Sequence, residues 1–148
     1  PSKRGDVFRQ AAVKALDTLS RNPNGFFLMI EGSNIDKAAH SNNLEEMMEE
    51  LLDFDRTAGA VLDWASKHPG TLVVITADHN TGAFALTGGS REQGEITGRF
   101  GSGSHDGVAV PVYAFGAGSG DFTGIYENTD IFNKIMNALK KGADKPVR

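Results

Sequence analysis

Residues 44–76 read LEEMMEELLDFDRTAGAVLDWASKHPGTLVVIT, and this stretch decides the class of fold. Its first two thirds carry apolar residues at three- and four-residue steps, which predicts one long helix from Leu44 to about Ser66. Asn43 and Glu46 have the spacing of a capping box at its start, and His-Pro-Gly at 68–70 ends it. The TLVVIT run that follows is typical of a strand buried on both faces.

The same logic extends outward in both directions. Residues 26–30, FFLMI, predict an earlier buried strand, and strand, helix, strand in that order indicates a right-handed parallel crossover. The class predicted is therefore α/β, with a mostly parallel sheet and flanking helices. Further helices are expected at 6–20 and around 131–139, and further strands at 83–87 and 108–115, the last with a proline that suggests an edge or a bulge.

Residues 88–104 contain six glycines and no apolar period. They predict a glycine-rich mobile loop. The 148 residues suit one domain or one piece of a larger one, and we interpret 1–148 as a single partial domain.

Composition excludes several functions. A net charge of −4 argues against nucleic-acid binding, which needs a basic face. The sequence contains no run of eighteen apolar residues, so no membrane span is predicted. The absence of cysteine excludes disulfides, zinc–thiolate sites and thiol nucleophiles. The chain opens at Pro1 with no signal-like segment, so a processed or partial product is expected.

Residues able to bind metal lie just after predicted strands, where α/β sheets place their sites, except His105, which ends the glycine-rich loop before the strand at 108–115. They are Glu31, Asp36, His40, Asp78, His79 and His105. Asp36 and His40, four apart, would share one face of a helical turn, and a carboxylate with imidazoles is a ligand set that suits zinc. Glu31 is an oxygen ligand better matched to magnesium. Taken singly, such pairs are more often exposed or capping residues; their combination at successive strand ends favours a metal site.

Longer stretches now carry a resemblance. Residues 30–40, IEGSNIDKAAH, closely resemble the E-G-x-x-I-D-x-x-x-H segment of alkaline phosphatases, and 76–79, TADH, resemble the T-A-D-H of that family. Residues 104–116, SHDGVAVPVYAFG, and 126–132, YENTDIF, are similar to later segments of the same family. The motifs run in the family's order from about Gly25 to Leu139.

The resemblance implies roles for these positions. Asp36, His40 and His105 match ligands of a first zinc ion, Asp78 and His79 match ligands of a second, and Glu31 matches a magnesium ligand. Lys37 falls where some bacterial members contact phosphate through water, although an ordinary surface lysine is an equally good interpretation. The implied cofactors are two zinc ions and one magnesium ion, and the implied reaction is hydrolysis of phosphate monoesters through a phosphoseryl or phosphothreonyl intermediate.

Two departures from the family pattern stand out. Asp106 replaces a common threonine after the last histidine, and it would either orient His105 or be solvated. The family's nucleophile, its aspartate between metals and its phosphate-binding arginine have no match here, and the serines at 33, 41, 102 and 104 are interpreted as turn and cap residues. The chain thus resembles the C-terminal half of a bacterial alkaline phosphatase, with no catalytic nucleophile of its own.

Partners and rivals follow from that interpretation. The expected partners are a phosphate monoester, the N-terminal half of the same enzyme and further copies of the chain, and the resemblance implies a periplasmic or secreted location. Rival hypotheses are a related superfamily phosphodiesterase or phosphomutase, and a metal-binding fragment without catalysis. One packing prediction is added: Asp55 interrupts the apolar stripe of the long helix and is expected to be buried or half-buried.

Overall fold

The computed structural model describes residues 4–143 of the chain. Its helices are α1 (Val7–Leu19), α2 (Ser33–His40), α3 (Leu44–Ser66) and α4 (Asp130–Ala143), with a short 3₁₀ turn at Ser119–Phe122. Its strands are β1 (Leu72–Ile75), β2 (Asn80–Thr81), β3 (Ala85–Ser90), β4 (Glu95–Arg99), β5 (His105–Asp106) and β6 (Tyr113–Gly116). None of the helices described there is long and apolar enough to cross a membrane.

The α/β class is confirmed, but the strand pairs within residues 4–143 are antiparallel. β1 pairs with β6, β2 with β5, and β3 with β4. Residues 26–30, expected as the first strand of a parallel crossover, form no ladder there. They still alternate as a strand does: Phe26 and Leu28 pack inward, whereas Phe27 and Met29 are exposed. An extended segment becomes a strand only when neighbouring backbone offers hydrogen bonds, and no described residue does so here.

The stretch 88–104 is not the irregular loop that its composition suggested. β3 and β4 form an antiparallel hairpin with a register shift between Leu86 and Gly88. Glycine is required inside it because a Cβ on Gly89 would lie 2.3 Å from the Glu95 carbonyl oxygen, so this glycine serves close strand approach rather than disorder. The mobility of the stretch stays a prediction.

The first apolar cluster joins α1, α3 and β1. Leu16, Trp64 and Ala65 are buried at its centre. Phe26, Leu28, Val61 and Val73 pack around them. His68, the first residue of the His-Pro-Gly that ends the long helix, lies with its Nδ1 2.7 Å from the Trp64 carbonyl oxygen and so caps the C-terminus of that helix. This cluster therefore anchors the strand that leads to Asp78 and His79.

The second apolar cluster fixes α2 against α3. Ala38, Ala39 and Met47 are buried in it, with Ile35, Leu44, Phe84 and Phe100 around them. The expected N-cap is present, since the Asn43 side chain accepts a hydrogen bond from the Glu46 backbone N–H. Gly32 immediately precedes α2, and a Cβ there would lie 2.8 Å from the Phe54 ring, so glycine permits this close approach. The packing holds Asp36 and His40 at a fixed place beside the hairpin.

The prediction for Asp55 is wrong: that residue is exposed. The buried carboxylate of α3 is instead Asp53, 2% exposed, and the nearby Glu50 is buried as well. Arg4 donates to both, with Nη2 2.6 Å from Asp53 Oδ2 and 2.6 Å from Glu50 Oε2. The apolar period misplaced the buried face because two of its members are charged residues neutralised by an arginine far away in sequence.

Candidate metal centre

Helix α2 and strand β5 bring three of the predicted ligands together. Asp36 and His40 lie one helical turn apart on α2, with His40 Nε2 3.4 Å from Asp36 Oδ2. His105 arrives from β5, with its Nε2 3.4 Å from Asp36 Oδ1 and 3.0 Å from His40 Nε2. One ligand atom from each residue can be chosen so that all lie within 4.8 Å of one another. The spacing suits coordination of a single cation.

The orientation of the His40 ring is set by backbone. Its Nδ1 lies 2.7 Å from the Gly103 carbonyl oxygen. A carbonyl can only accept, so Nδ1 carries a proton, and in the neutral imidazole Nε2 presents a lone pair toward Asp36 and His105. A Cβ on Gly103 would lie 3.1 Å from the His40 carbonyl oxygen, so glycine lets this loop approach α2 closely.

The Asp36 carboxylate is held in its charged form. Partial burial alone would favour the neutral acid, but the Thr81 hydroxyl and the nearby imidazoles outweigh it. The pKa of Asp36 therefore lies below its usual value. A charged oxygen ligand is thus available across the neutral pH range.

The second predicted pair lies beside the first. The His79 ring stacks on the His105 ring with centroids 3.5 Å apart. Its Nε2 lies 3.2 Å from Asp78 Oδ2, and the Asp78 side chain is 87% exposed. The chain bends at Asp78 just after β1, and the Asp78 carboxylate also accepts a hydrogen bond from the His79 backbone N–H. Both side chains therefore reach the same side of the fold.

Glu31 and Lys37 lie outside the three-residue group. Both are exposed, and the Lys37 ammonium donates to Asn34 Oδ1 at 3.2 Å. No other group of three potential ligands is found in residues 4–143. A role for Glu31 with magnesium and for Lys37 with phosphate stays a prediction.

Two residues that sequence reasoning passed over connect these parts. Thr81 is buried, and its hydroxyl lies 2.6 Å from Asp36 Oδ1 and 3.1 Å from His79 Nδ1. Asn80 donates to both carboxylate oxygens of Asp106 at 3.1 and 2.9 Å. Only the pairing of β2 with β5 reveals either role, since it sets Thr81 opposite His105 and Asn80 opposite Asp106.

The Asp106 carboxylate is hydrogen-bonded to the protein, and within residues 4–143 none of its hydrogen bonds is to the His105 ring. Besides Asn80, it accepts from the backbone N–H groups of Ala83 and Val108 at 3.1 and 3.0 Å. The Val108 N–H lowers the pKa of Asp106 most; the Asn80 and Ala83 donors add to it and outweigh partial burial. Asp106 thus fixes the turn that carries His105.

The lowered pKa of Asp106 predicts acid-sensitive stability. A carboxylate whose pKa falls on folding stabilises the native state above its unfolded pKa of about 4, and the stabilisation disappears as pH falls through the lower folded pKa. We expect Asp106→Asn to destabilise the chain at pH 7 and the difference from wild type to shrink below about pH 4. Urea unfolding of both proteins from about pH 7 to about pH 3 measures this difference in unfolding free energy. The exposed Asp55→Asn serves as control, and a difference that does not vary with pH would contradict this account.

The donor set suits zinc. One carboxylate and two imidazoles are three protein ligands, the number that catalytic zinc sites use while keeping one position open. All three side chains are partly exposed, at 38%, 38% and 49% for Asp36, His40 and His105, so an ion and a small anion can reach them. Such a site can polarise an oxygen of a bound anion.

Comparison with known proteins places these motifs in context. A family model described as alkaline phosphatase matches residues 6–98. The chain is 29% identical to alkaline phosphatase 4 of Bacillus subtilis, over 90% of this chain and 44% of that protein. It is 32% identical to the alkaline phosphatase of Escherichia coli, over 88% of this chain and 31% of that protein.

A solved structure agrees with these sequence matches. A variant of alkaline phosphatase from the Antarctic bacterium TAB5, determined with magnesium bound, has a TM-score of 0.84 and 41% identity. The match covers 93% of this chain and 42% of that one. The chain therefore spans less than half the length of the relatives it resembles.

Proposed function

Because the chain belongs to the alkaline phosphatase family, we propose that it is the metal-binding C-terminal portion of a phosphate monoester hydrolase. The observation that carries this proposal is the convergence of Asp36, His40 and His105 on one point. The motifs that place them are those on which the family resemblance rests. The proposed cofactors are two zinc ions, one at this group and one at Asp78 and His79, and a magnesium ion at Glu31.

The residues of this chain have a definite share of the work. A zinc pair, when bound, supplies positive charge that stabilises the attacking and leaving oxygens of an in-line displacement. Asp36 and the imidazoles would hold the first ion in place, and the Gly103 carbonyl keeps the His40 Nε2 lone pair directed at that position. Lys37, one residue after Asp36, is proposed to contact phosphate through water.

Other parts of the enzyme are proposed to come from outside the 148 residues. Glu31, Asp36 and Asp78 supply three negative charges, which do not balance two zinc ions and a magnesium ion. The Ser41 and Ser102 hydroxyls donate to backbone carbonyls as turn residues do. The nucleophile and further carboxylates are therefore assigned to a preceding N-terminal half.

The surface of the chain supports such a partner. Phe27 and Met29 project from an extended segment that has no strand partner in residues 4–143, and Leu51 and Leu52 of α3 are also exposed. We propose that the N-terminal half covers these exposed apolar side chains, and that a second copy of the chain covers them in its absence. Export to the periplasm or medium is proposed on the family likeness alone.

Zinc titration of the metal-free chain tests the proposed centre. We expect calorimetry to show binding that Asp36→Asn weakens by more than the roughly 10–100-fold typical of changes around a metal site, because a charged ligand is lost. Asp55→Asn is the matched control: the same substitution on an exposed residue, with binding unchanged. Equal zinc binding by both variants would rule out the Asp36 group as the site.

The same protein answers the question of turnover. With excess zinc and magnesium, the 148-residue chain is expected not to hydrolyse a chromogenic phosphate monoester, since it carries no nucleophile segment. Turnover that disappears in His40→Ala would show that this portion is competent by itself, and that the division of labour proposed here is wrong.

A further inference from the structure

Thr81 lies between the two parts of the candidate centre. It is the second residue of β2, it is 9% exposed, and it faces His105 across the β2–β5 ladder. Its single hydroxyl contacts both Asp36 Oδ1, at 2.6 Å, and His79 Nδ1, at 3.1 Å. No family motif quoted above includes this residue, and its contacts give it a definite task.

The direction of these two hydrogen bonds follows from counting protons. A carboxylate only accepts, and a threonine hydroxyl has one proton to give. Because that proton is donated to Asp36, only the oxygen lone pairs of Thr81 remain for His79. The proton between them therefore belongs to His79 Nδ1, and in the neutral imidazole His79 Nε2 is left as a lone pair.

We propose that Thr81 is a positioning residue that selects the Nδ1–H tautomer of His79 and thereby turns Nε2 into its metal-binding atom. His79 Nε2 lies 3.2 Å from Asp78 Oδ2, so a lone pair faces a carboxylate oxygen. Two acceptors at that distance repel each other unless a proton or a metal cation lies between them. The same hydroxyl fixes Asp36 Oδ1, so one side chain orients a ligand of each proposed zinc site.

His40 provides an internal comparison. Its Nδ1 is engaged by the Gly103 carbonyl, and its Nε2 faces Asp36. The two histidines thus reach one arrangement through different acceptors, a backbone carbonyl for His40 and a side-chain hydroxyl for His79. An outer hydrogen bond that fixes ring orientation and tautomer is a general feature of metal-binding histidines. Only the His79 bond can be removed by a side-chain substitution.

The decisive experiment reads the tautomer directly. Nitrogen-15 NMR of the metal-free full chain at alkaline pH, where imidazoles are neutral, distinguishes the two ring nitrogens of His79. We expect the Nδ1–H form in wild type and its loss in Thr81→Val, which removes the hydroxyl at similar size. Thr81→Ser keeps the hydroxyl and is expected to restore the wild-type tautomer. An Nε2–H tautomer in wild type, or an unchanged tautomer in Thr81→Val, overturns the proposal.

Zinc affinity supplies the second measurement. The ligand role given to His79 rests on the proposed metal centre, whereas the tautomer does not. We expect Thr81→Val to weaken zinc binding by about 10–100-fold and Thr81→Ser to recover most of it. Wild type that holds the Nδ1–H tautomer but binds no zinc would refute the metal centre alone. If Thr81→Val does not fold, the wild-type and Thr81→Ser spectra still decide the tautomer.

Discussion

Replacing Trp64 by alanine should lower the free energy of unfolding by about 3–5 kcal/mol, as expected for loss of a large buried aromatic side chain. Trp64 lies in the first apolar cluster, and its ring meets the Phe26 ring edge-on with centroids 6.3 Å apart. It also stacks on the His68 ring at 3.6 Å, and its Nε1 donates to Asp17 Oδ1 at 2.9 Å. One side chain thus joins α1, α3 and the segment at 26–30.

Urea unfolding followed by circular dichroism measures this loss. Trp64→Phe is the matched variant: it keeps an aromatic ring but loses the hydrogen bond to Asp17, and it should cost only about 1–2 kcal/mol. An alanine variant within about 1 kcal/mol of wild type would mean that the cluster does not hold these elements together.

Gly82→Ala should have the second large effect, a loss of about 2–5 kcal/mol of unfolding free energy, from two causes that add. The backbone of Gly82 has φ of +81°, a left-handed conformation that costs other residues about 1–2 kcal/mol. A Cβ there would also lie 2.8 Å from the Phe100 ring and 3.1 Å from the Ala39 carbonyl oxygen, and overpacking costs about 1–3 kcal/mol.

The Gly82→Ala substitution should weaken zinc binding as well as lower stability. The Gly82 N–H donates to the Ser104 carbonyl oxygen at 2.9 Å, and its own carbonyl accepts from Gly101 and Ser102. These bonds shape the loop that ends at His105, so zinc affinity should fall together with the unfolding midpoint.

Gly59→Ala is a control of identical chemistry. Gly59 lies inside α3, and a Cβ added to it would meet nothing within 4 Å, so alanine there should stabilise the chain by about 0.5–1 kcal/mol. Unfolding curves of the two variants should move in opposite directions. Equal shifts would contradict the packing described around Gly82.

The sequence predicted those features that depend on local pattern. The long helix and its cap, the strand after it and the end at His68 were all readable, because apolar period and capping residues act within a few positions. The hairpin was not, since its strands hold threonine, serine and glycine in place of alternating apolar residues. Asp53 was missed because its partner Arg4 is 49 residues away.

The candidate site divides in the same way. Asp36, His40 and His105 could be proposed from residue type and motif, and the structure brings them to one point. Thr81 and Asn80 gave no such signal, because their importance lies in hydrogen bonds between distant parts of the chain, 45 residues from Thr81 to Asp36 and 26 residues from Asn80 to Asp106. Sequence pattern indicates which atoms bind, but only the tertiary contacts show which atoms orient them.

The distance along the chain between His40 and His105 has a further consequence. Their Nε2 atoms lie 3.0 Å apart, although 65 positions separate the two residues. A cation held by both would act as a removable crosslink that closes the whole intervening loop, which contains α3 and the hairpin. Because unfolded chains rarely present such a preformed site, the free energy of binding adds to that of folding. The supply of metal would then govern how long this portion survives proteolysis, and removal of the metal by a chelator would speed its degradation.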